Sequence, residues 1–213
     1  LHEQVCKFAN VLNSQGLNQL QIQRGEGVGR LYYRGFLRLD RPVETALPLE
    51  KGLSIKRKIM LAGQDCRDNR CPAISEVNLG SFAPVLQVQL TLTVPADLAH
   101  VVVEDSIPAG TEIWNPQLKT SQQMMPDVIH PQRYDPRDPF QDGWGAWRFS
   151  SPQIGDQRIR WYAGQLPAGT YQLTYRLVAL QAGEYRIIPA RAFAYYFPEI
   201  QGSSAGAVLS IQP

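Results

Sequence analysis

Hydrophobic and polar residues alternate along much of this 213-residue chain. The segment "VLQVQLTLTVP" is the cleanest case: Val88, Leu90, Leu92 and Val94 face one way, and Gln87, Gln89, Thr91 and Thr93 face the other. Period two is the repeat of a β-strand, and polar residues at every second position mark a sheet with one wet face. "TYQLTYRLVAL" sets Tyr171, Leu173, Tyr175 and Leu177 on one side in the same way. "NQLQIQRG", "GRLYYRGFLRLD" with Gly35 at a bulge, "EYRIIPARAFAYYF" and "GAVLSIQ" complete the set of predicted strands. Only "EQVCKFANVLNS" and "PLEKGLSIKRK" invite a helix. The first has Val5, Phe8 and Leu12 at helical spacing but also suits a strand and loop.

Turn residues separate these runs. Pro-Ala-Gly-Thr occurs twice, at 108–111 and 167–170. Proline fixes φ for the second position of a type I turn, and glycine is favoured at the fourth. Ile107-Pro108-Ala109-Gly110 and Leu166-Pro167-Ala168-Gly169 are therefore predicted as matching turns after strands. Thr111 and Thr170 have no base beside them in sequence. Many short strands with Gly/Pro turns predict an all-β antiparallel β-sandwich. A boundary is expected near "DRPVETALPLEKG" (40–52), which divides the chain into 1–45 and 46–213. Residues 126–145 form one long irregular segment rich in Pro and Asp.

The composition bounds the function. A 44% hydrophobic content supplies a sizeable core. A net charge of +2 gives no reason to expect nucleic acid or an anionic membrane as partner. No apolar run approaches the ~20 residues of a membrane-spanning helix. The chain opens "LHEQVCKFAN", shows no signal peptide, and reads as a piece of something longer.

The candidate chemistry is sparse. Cys66 and Cys71, in "GQDCRDNRCPAIS", suit either a small disulfide loop or half of a zinc site. Zinc needs about four ligands, and no second Cys or His pair completes the set, so the disulfide is the expectation, with an oxidising compartment. Cys6 is left over. His2, His100 and His130 lie far apart with no nucleophile or metal motif beside them, so no catalytic residue and no cofactor is expected. Asp135, Asp138 and Asp142 could ligate calcium, but their spacing matches no EF-hand. "SIKRKI" reads as a solvated edge strand protected by Lys56 and Lys58, with Ile55, Arg57 and Ile59 on its other face. The run "FAYYFPE" holds more aromatics than one strand face can bury. Either both faces are covered, or some rings are displayed to a partner.

The C-terminal third resembles the end of bacterial alpha-2-macroglobulin-like proteins. The residues that carry the resemblance are Asp156, Arg158, Leu166, Pro167, Gly169, Tyr171, Tyr175, Gly183, Pro189, Ala190, Ala192, Tyr196, Pro198, Glu199 and Gly202. "VVVEDSIPAGTEIWNP" is similar to an upstream segment of the same terminal domain, and "GLNQLQIQRGEGVGRLYYRGFLRL" looks like the final strands of the domain before it. The resemblance spans about residues 16–213. It departs at Phe193, Ala194 and Tyr195, where relatives carry acidic residues and a Met.

The family implies a macroglobulin- or fibronectin-III-like sandwich at 46–213, preceded at 1–45 by a few strands of another β domain. It also implies a large periplasmic or envelope-associated protein that traps proteases, in many members through a Cys-x-Glu-Gln thioester. Here "LHEQ" has Leu1 where that Cys would stand. The resemblance therefore implies a non-catalytic part that docks on neighbouring domains, including a thioester-type domain if present, and shields the reactive site. Target proteases would be met through the whole parent. The expected contacts are Tyr195, Tyr196, Phe197, Pro198 and Glu199. The competing reading is a stand-alone adhesion or carbohydrate-binding module that uses coplanar exposed aromatics, with Trp144, Trp147 and Trp161 as candidates.

Overall fold

The computed structural model describes residues 42–62, 71–80, 83–114 and 143–213, together with Gln19, residues 26–30 and Tyr32. The chain separates into two compact units, Leu1–Leu39 and Asp40–Pro213. In the first unit the described residues are all exposed.

The described residues of the second unit, Asp40–Pro213, include thirteen strands: β1 Leu49–Lys51, β2 Ser54–Leu61, β3 Glu76–Asn78, β4 Val85–Val94, β5 Leu98–Ser106, β6 Thr111–Ile113, β7 Gln153–Ile154, β8 Arg158–Leu166, β9 Gly169–Ala179, β10 Gly183–Ile187, β11 Arg191–Ala194, β12 Gln201–Ser203 and β13 Ala207–Gln212. They form a six-stranded sheet ordered β1-β12-β11-β5-β8-β7, a four-stranded sheet ordered β2-β4-β9-β6, and a three-stranded sheet ordered β10-β13-β3. Among the described strands the ladders are antiparallel except that of β3 with β13. The segment "PLEKGLSIKRK" is not a helix. Gly52, at φ 80°, turns the chain between β1 and β2.

The alternating pattern sets the core. Val88, Leu90 and Leu92 of β4 and Leu173 and Leu177 of β9 are buried. They share one cluster with Val101 and Val103 of β5 and Ile159, Trp161 and Ala163 of β8. The intervening Gln87, Gln89 and Thr91 are half-buried and Thr93 is exposed, as a strand with one wet face requires. Each fully buried aliphatic side chain contributes about 1.5–3 kcal/mol. The aromatic rings of Trp161 and Tyr175 meet between the sheets, centroids 5.9 Å apart.

The two Pro-Ala-Gly-Thr turns are not hairpins, because each carries the chain from one sheet to the other. The first spans β5 to β6 and closes one residue later than expected. The Thr111 N–H donates to the Pro108 carbonyl at 3.2 Å, so proline is first in the turn and glycine third. Gly110 takes φ 78°, and a Cβ there would stand 2.2 Å from the Tyr185 ring. Left-handed backbone plus a ring in contact leaves room only for glycine. The second turn carries β8 into β9. The Asp97 carboxylate accepts the Ala168 N–H at 2.8 Å, and the Pro167 carbonyl accepts the Tyr171 hydroxyl at 2.7 Å. Asp97 lies on the crossing from β4 to β5, so this bond ties the two crossings together.

Candidate functional site

The aromatic run leaves the ladder earlier than a continuous strand would. β11 pairs with β5 through Ala194 opposite Val101. One more bond follows, from the Tyr195 N–H to the His100 carbonyl at 2.8 Å. The chain then folds into a compact turn. The Phe197 N–H donates to the Ala194 carbonyl, the Ile200 N–H to the Phe197 carbonyl and the Ala194 N–H back to the Ile200 carbonyl, at 3.2, 2.8 and 3.0 Å. Ile200 packs against the core and anchors the turn. Tyr195, Tyr196 and Phe197 therefore do not alternate across a strand. All three stand in solvent, 63%, 65% and 59% exposed. Pro198 and Glu199 complete the turn and are also exposed.

The rings are ordered among themselves. Tyr196 meets Tyr195 edge-on at 5.1 Å and His100 edge-on at 5.0 Å. Among the described residues, His100 alone has positive φ outside glycine, at 53°. A non-glycine residue held there costs free energy that the surrounding structure must offset. The product is a preorganised, solvent-facing aromatic cluster fed by two strands. Large rings with polar tips bury much area at little entropy cost when a partner arrives.

The other aromatic candidates do not form a carbohydrate platform. Trp161 is buried in the core. Trp144 and Trp147 are exposed but meet at 79°, not coplanar. Cys71 is buried, while its expected partner Cys66 lies outside the described residues, as do Cys6, His2, His130, Asp135, Asp138 and Asp142. Among the described residues, no group of three or more His, Cys, Asp or Glu could hold a metal. No helix among them is long and apolar enough to cross a membrane.

A buried polar network lies apart from the candidate residues that the sequence singles out. β2 is an edge strand of its sheet with Lys56 exposed, as the lysines suggested, and on its other face the Arg57 side chain is as buried as its neighbours Ile55 and Ile59. Arg57 Nη1 donates to Asp105 Oδ1 and to the Ile188 carbonyl, each at 2.7 Å, and the Tyr175 hydroxyl donates to Asp105 Oδ2 at 2.8 Å. Burial pushes the Asp105 carboxyl up from its usual range, against the opposing pull of Arg57 and of the Tyr175 hydrogen bond. Burial, then the Asp105 charge, pushes the Tyr175 phenol well up. Both charged side chains of this network are buried. The network ties β2, β5 and β9 together inside the sandwich, and β10 through Ile188, the residue just after it. A signal existed, since Arg57 alternates with Ile55 and Ile59, and Asp105 with Val101 and Val103.

Residues 52–199 match the family described as the bacterial alpha-2-macroglobulin MG10 domain. No curated protein matches the chain. Among solved structures it is similar to native Escherichia coli alpha-2-macroglobulin, with 18% identity and a TM-score of 0.59 over 81% of this chain and 10% of that one. A piece of the same E. coli protein, from domain MG7 to the C-terminus, matches at 17% identity and a TM-score of 0.57, over 81% of this chain and 25% of that one. Salmonella alpha-2-macroglobulin reacted with methylamine matches at 20% identity and a TM-score of 0.53, over 78% of this chain and 10% of that one. The chain thus spans about a tenth of the length of the whole relatives it matches. At these identities the likeness is one of fold.

Proposed function

The chain belongs to the bacterial alpha-2-macroglobulin MG10 domain family, and from that premise we propose that it is a non-catalytic docking domain of a larger protease-trapping protein. The observation that carries the proposal is the exposed, ordered aromatic turn Tyr195-Tyr196-Phe197 at the end of the matched region. Three rings held in solvent by one turn are costly unless something covers them. In the parent, the cover is a neighbouring domain, the thioester-type domain where one exists, and the contact shields the reactive site. Pro198 and Glu199 rim the same contact. The first unit is the end of the preceding β domain. Protease targets are met through the whole parent, at the bacterial periplasm or envelope. A Cys66–Cys71 disulfide, suited to that compartment, closes the loop between β2 and β3. The burial of Cys71 accords with it.

Tyr196→Ala tests the docking role. Removing an exposed ring leaves the isolated chain within about 0.5 kcal/mol of the parent sequence. In the full-length protein the same change costs about 2 kcal/mol or more of docking free energy. It should also raise reactivity toward methylamine if the parent carries a thioester. A large drop in the melting temperature of the isolated chain would make the ring structural and remove the docking role.

A further inference from the structure

The aromatic turn is one end of a longer surface. On the outer face of the six-stranded sheet, Phe193 stands opposite Val102, and Val102 opposite Tyr162. The next outward row sets Arg191 opposite Glu104, and Glu104 opposite Arg160. Outward positions recur every second residue, so Val102 and Glu104 of β5 share one stripe, and His100, just before it on β5, meets the Tyr196 ring and joins the stripe to the aromatic turn.

Charge on this stripe is unbalanced. Three guanidiniums surround one carboxylate. Arg160 Nε lies 3.2 Å from Glu104 Oε2, Arg158 Nη1 lies 3.8 Å from the same oxygen, and Arg191 Nη1 lies 3.9 Å from Oε1. Glu104 is mostly covered, whereas about half of each Arg158 and Arg191 side chain remains in water. One carboxylate cannot satisfy three planar five-donor forks. Arg191 also lies over the Phe193 ring at 5.8 Å, which holds its fork at the apolar edge. Aromatic residues beside arginines are enriched in interface cores relative to ordinary surface.

We propose that the outer face of the six-stranded sheet, from His100 and Phe193 to Arg158, Arg160 and Arg191, is a second docking surface continuous with the aromatic turn. Its occupant is a carboxylate-bearing surface of a neighbouring domain of the same polypeptide. The proposal rests on the docking role proposed above and adds the chemistry of the partner. Carboxylates from that domain take the donors that Glu104 leaves open, forming charge-assisted and bidentate pairs. Phe193 and Tyr162 are covered in the same step.

Phenylglyoxal modification with mass spectrometry, on the full-length protein and on the isolated 213-residue chain, tests this. Arg158, Arg160 and Arg191 are expected to react several-fold more slowly in the full-length protein. The double variant Arg160→Glu/Arg191→Glu should restore fast modification of Arg158 there, and Arg160→Lys/Arg191→Lys should not. An unchanged melting temperature of the isolated double variant excludes misfolding as the cause; if it falls, Arg158→Glu alone, read at Arg191, replaces it. Equal rates in the two proteins overturn the proposal, and it then fails alone if Tyr196→Ala still destabilises only the full-length protein. If that substitution has no effect either, both readings fail. Protection of the isolated chain by phosphatidylglycerol vesicles, or with rising chain concentration, gives the face to another occupant and also overturns it.

Discussion

Arg57, Asp105 and Tyr175 show what one misplaced polarity does inside a sandwich. A buried ion pair adds little over an apolar pair of the same shape, but losing one member strands the other. Asp105→Ala leaves the Arg57 guanidinium without its carboxylate and the Tyr175 hydroxyl without its acceptor, so a loss of about 3–5 kcal/mol is expected in denaturant unfolding. Tyr175→Phe removes a single hydrogen bond to a charged group and should cost about 1.5–3 kcal/mol. The phenol adds a pH signature. Its ordinary value is near 10 and its folded value is higher. Below 10 both states hold the proton and the full stability is present. As pH rises above 10 the unfolded state releases its proton first, and stability is lost until the folded phenol also titrates. Tyr175→Phe should flatten that alkaline limb, measured as urea unfolding between neutral pH and strongly alkaline solution. An unchanged limb would mean that the ring is not held as described.

Elements join through crossings whose chemistry is local but whose destination is not. Both Pro-Ala-Gly-Thr stretches read as turns from sequence, yet each connects strands of different sheets, because the pairing of β5 with β8 and of β4 with β9 is a long-range matter. For the same reason the first turn closes at Pro108–Thr111: the left-handed Gly110 is needed where the Tyr185 ring approaches. Gly110→Ala is expected to cost more than 1 kcal/mol through backbone strain and ring displacement, visible as a lowered midpoint at unchanged m-value. The strands β4 and β9 were legible because their period-two pattern meets a core on one side. The aromatic run was half legible. Its crowding left open whether both strand faces are covered or some rings are displayed, and its departure from the ladder after Ala194 depends on the Tyr195–His100 bond and the anchoring of Ile200, neither of which leaves a local mark. The edge position of β2 and the inward face of Arg57 were legible from the alternation with Ile55 and Ile59, whereas its partner was not, because Asp105 is brought beneath it only by the packing of the two sheets.

At the scale of the whole molecule, the sandwich presents rings where a self-sufficient domain would present polar residues. The core needs none of Tyr195, Tyr196 and Phe197, and the sheet that carries them continues into an arginine-rich face. A domain of a long chain is expected to look like this, stable by its own core and incomplete at its contact surface. The most direct measurement is hydroxyl-radical oxidation of these three residues, in the isolated chain and in the full-length protein, with Trp144 and Trp147 as exposed references. In the isolated chain all three rings should oxidise about as fast as the reference tryptophans, normalised for intrinsic reactivity. In the full-length protein at least one, Tyr196 first, should be strongly protected while the reference rates hold. Equal oxidation of all three rings in both proteins would contradict the account, because the aromatic turn would then face water in the full-length protein as well.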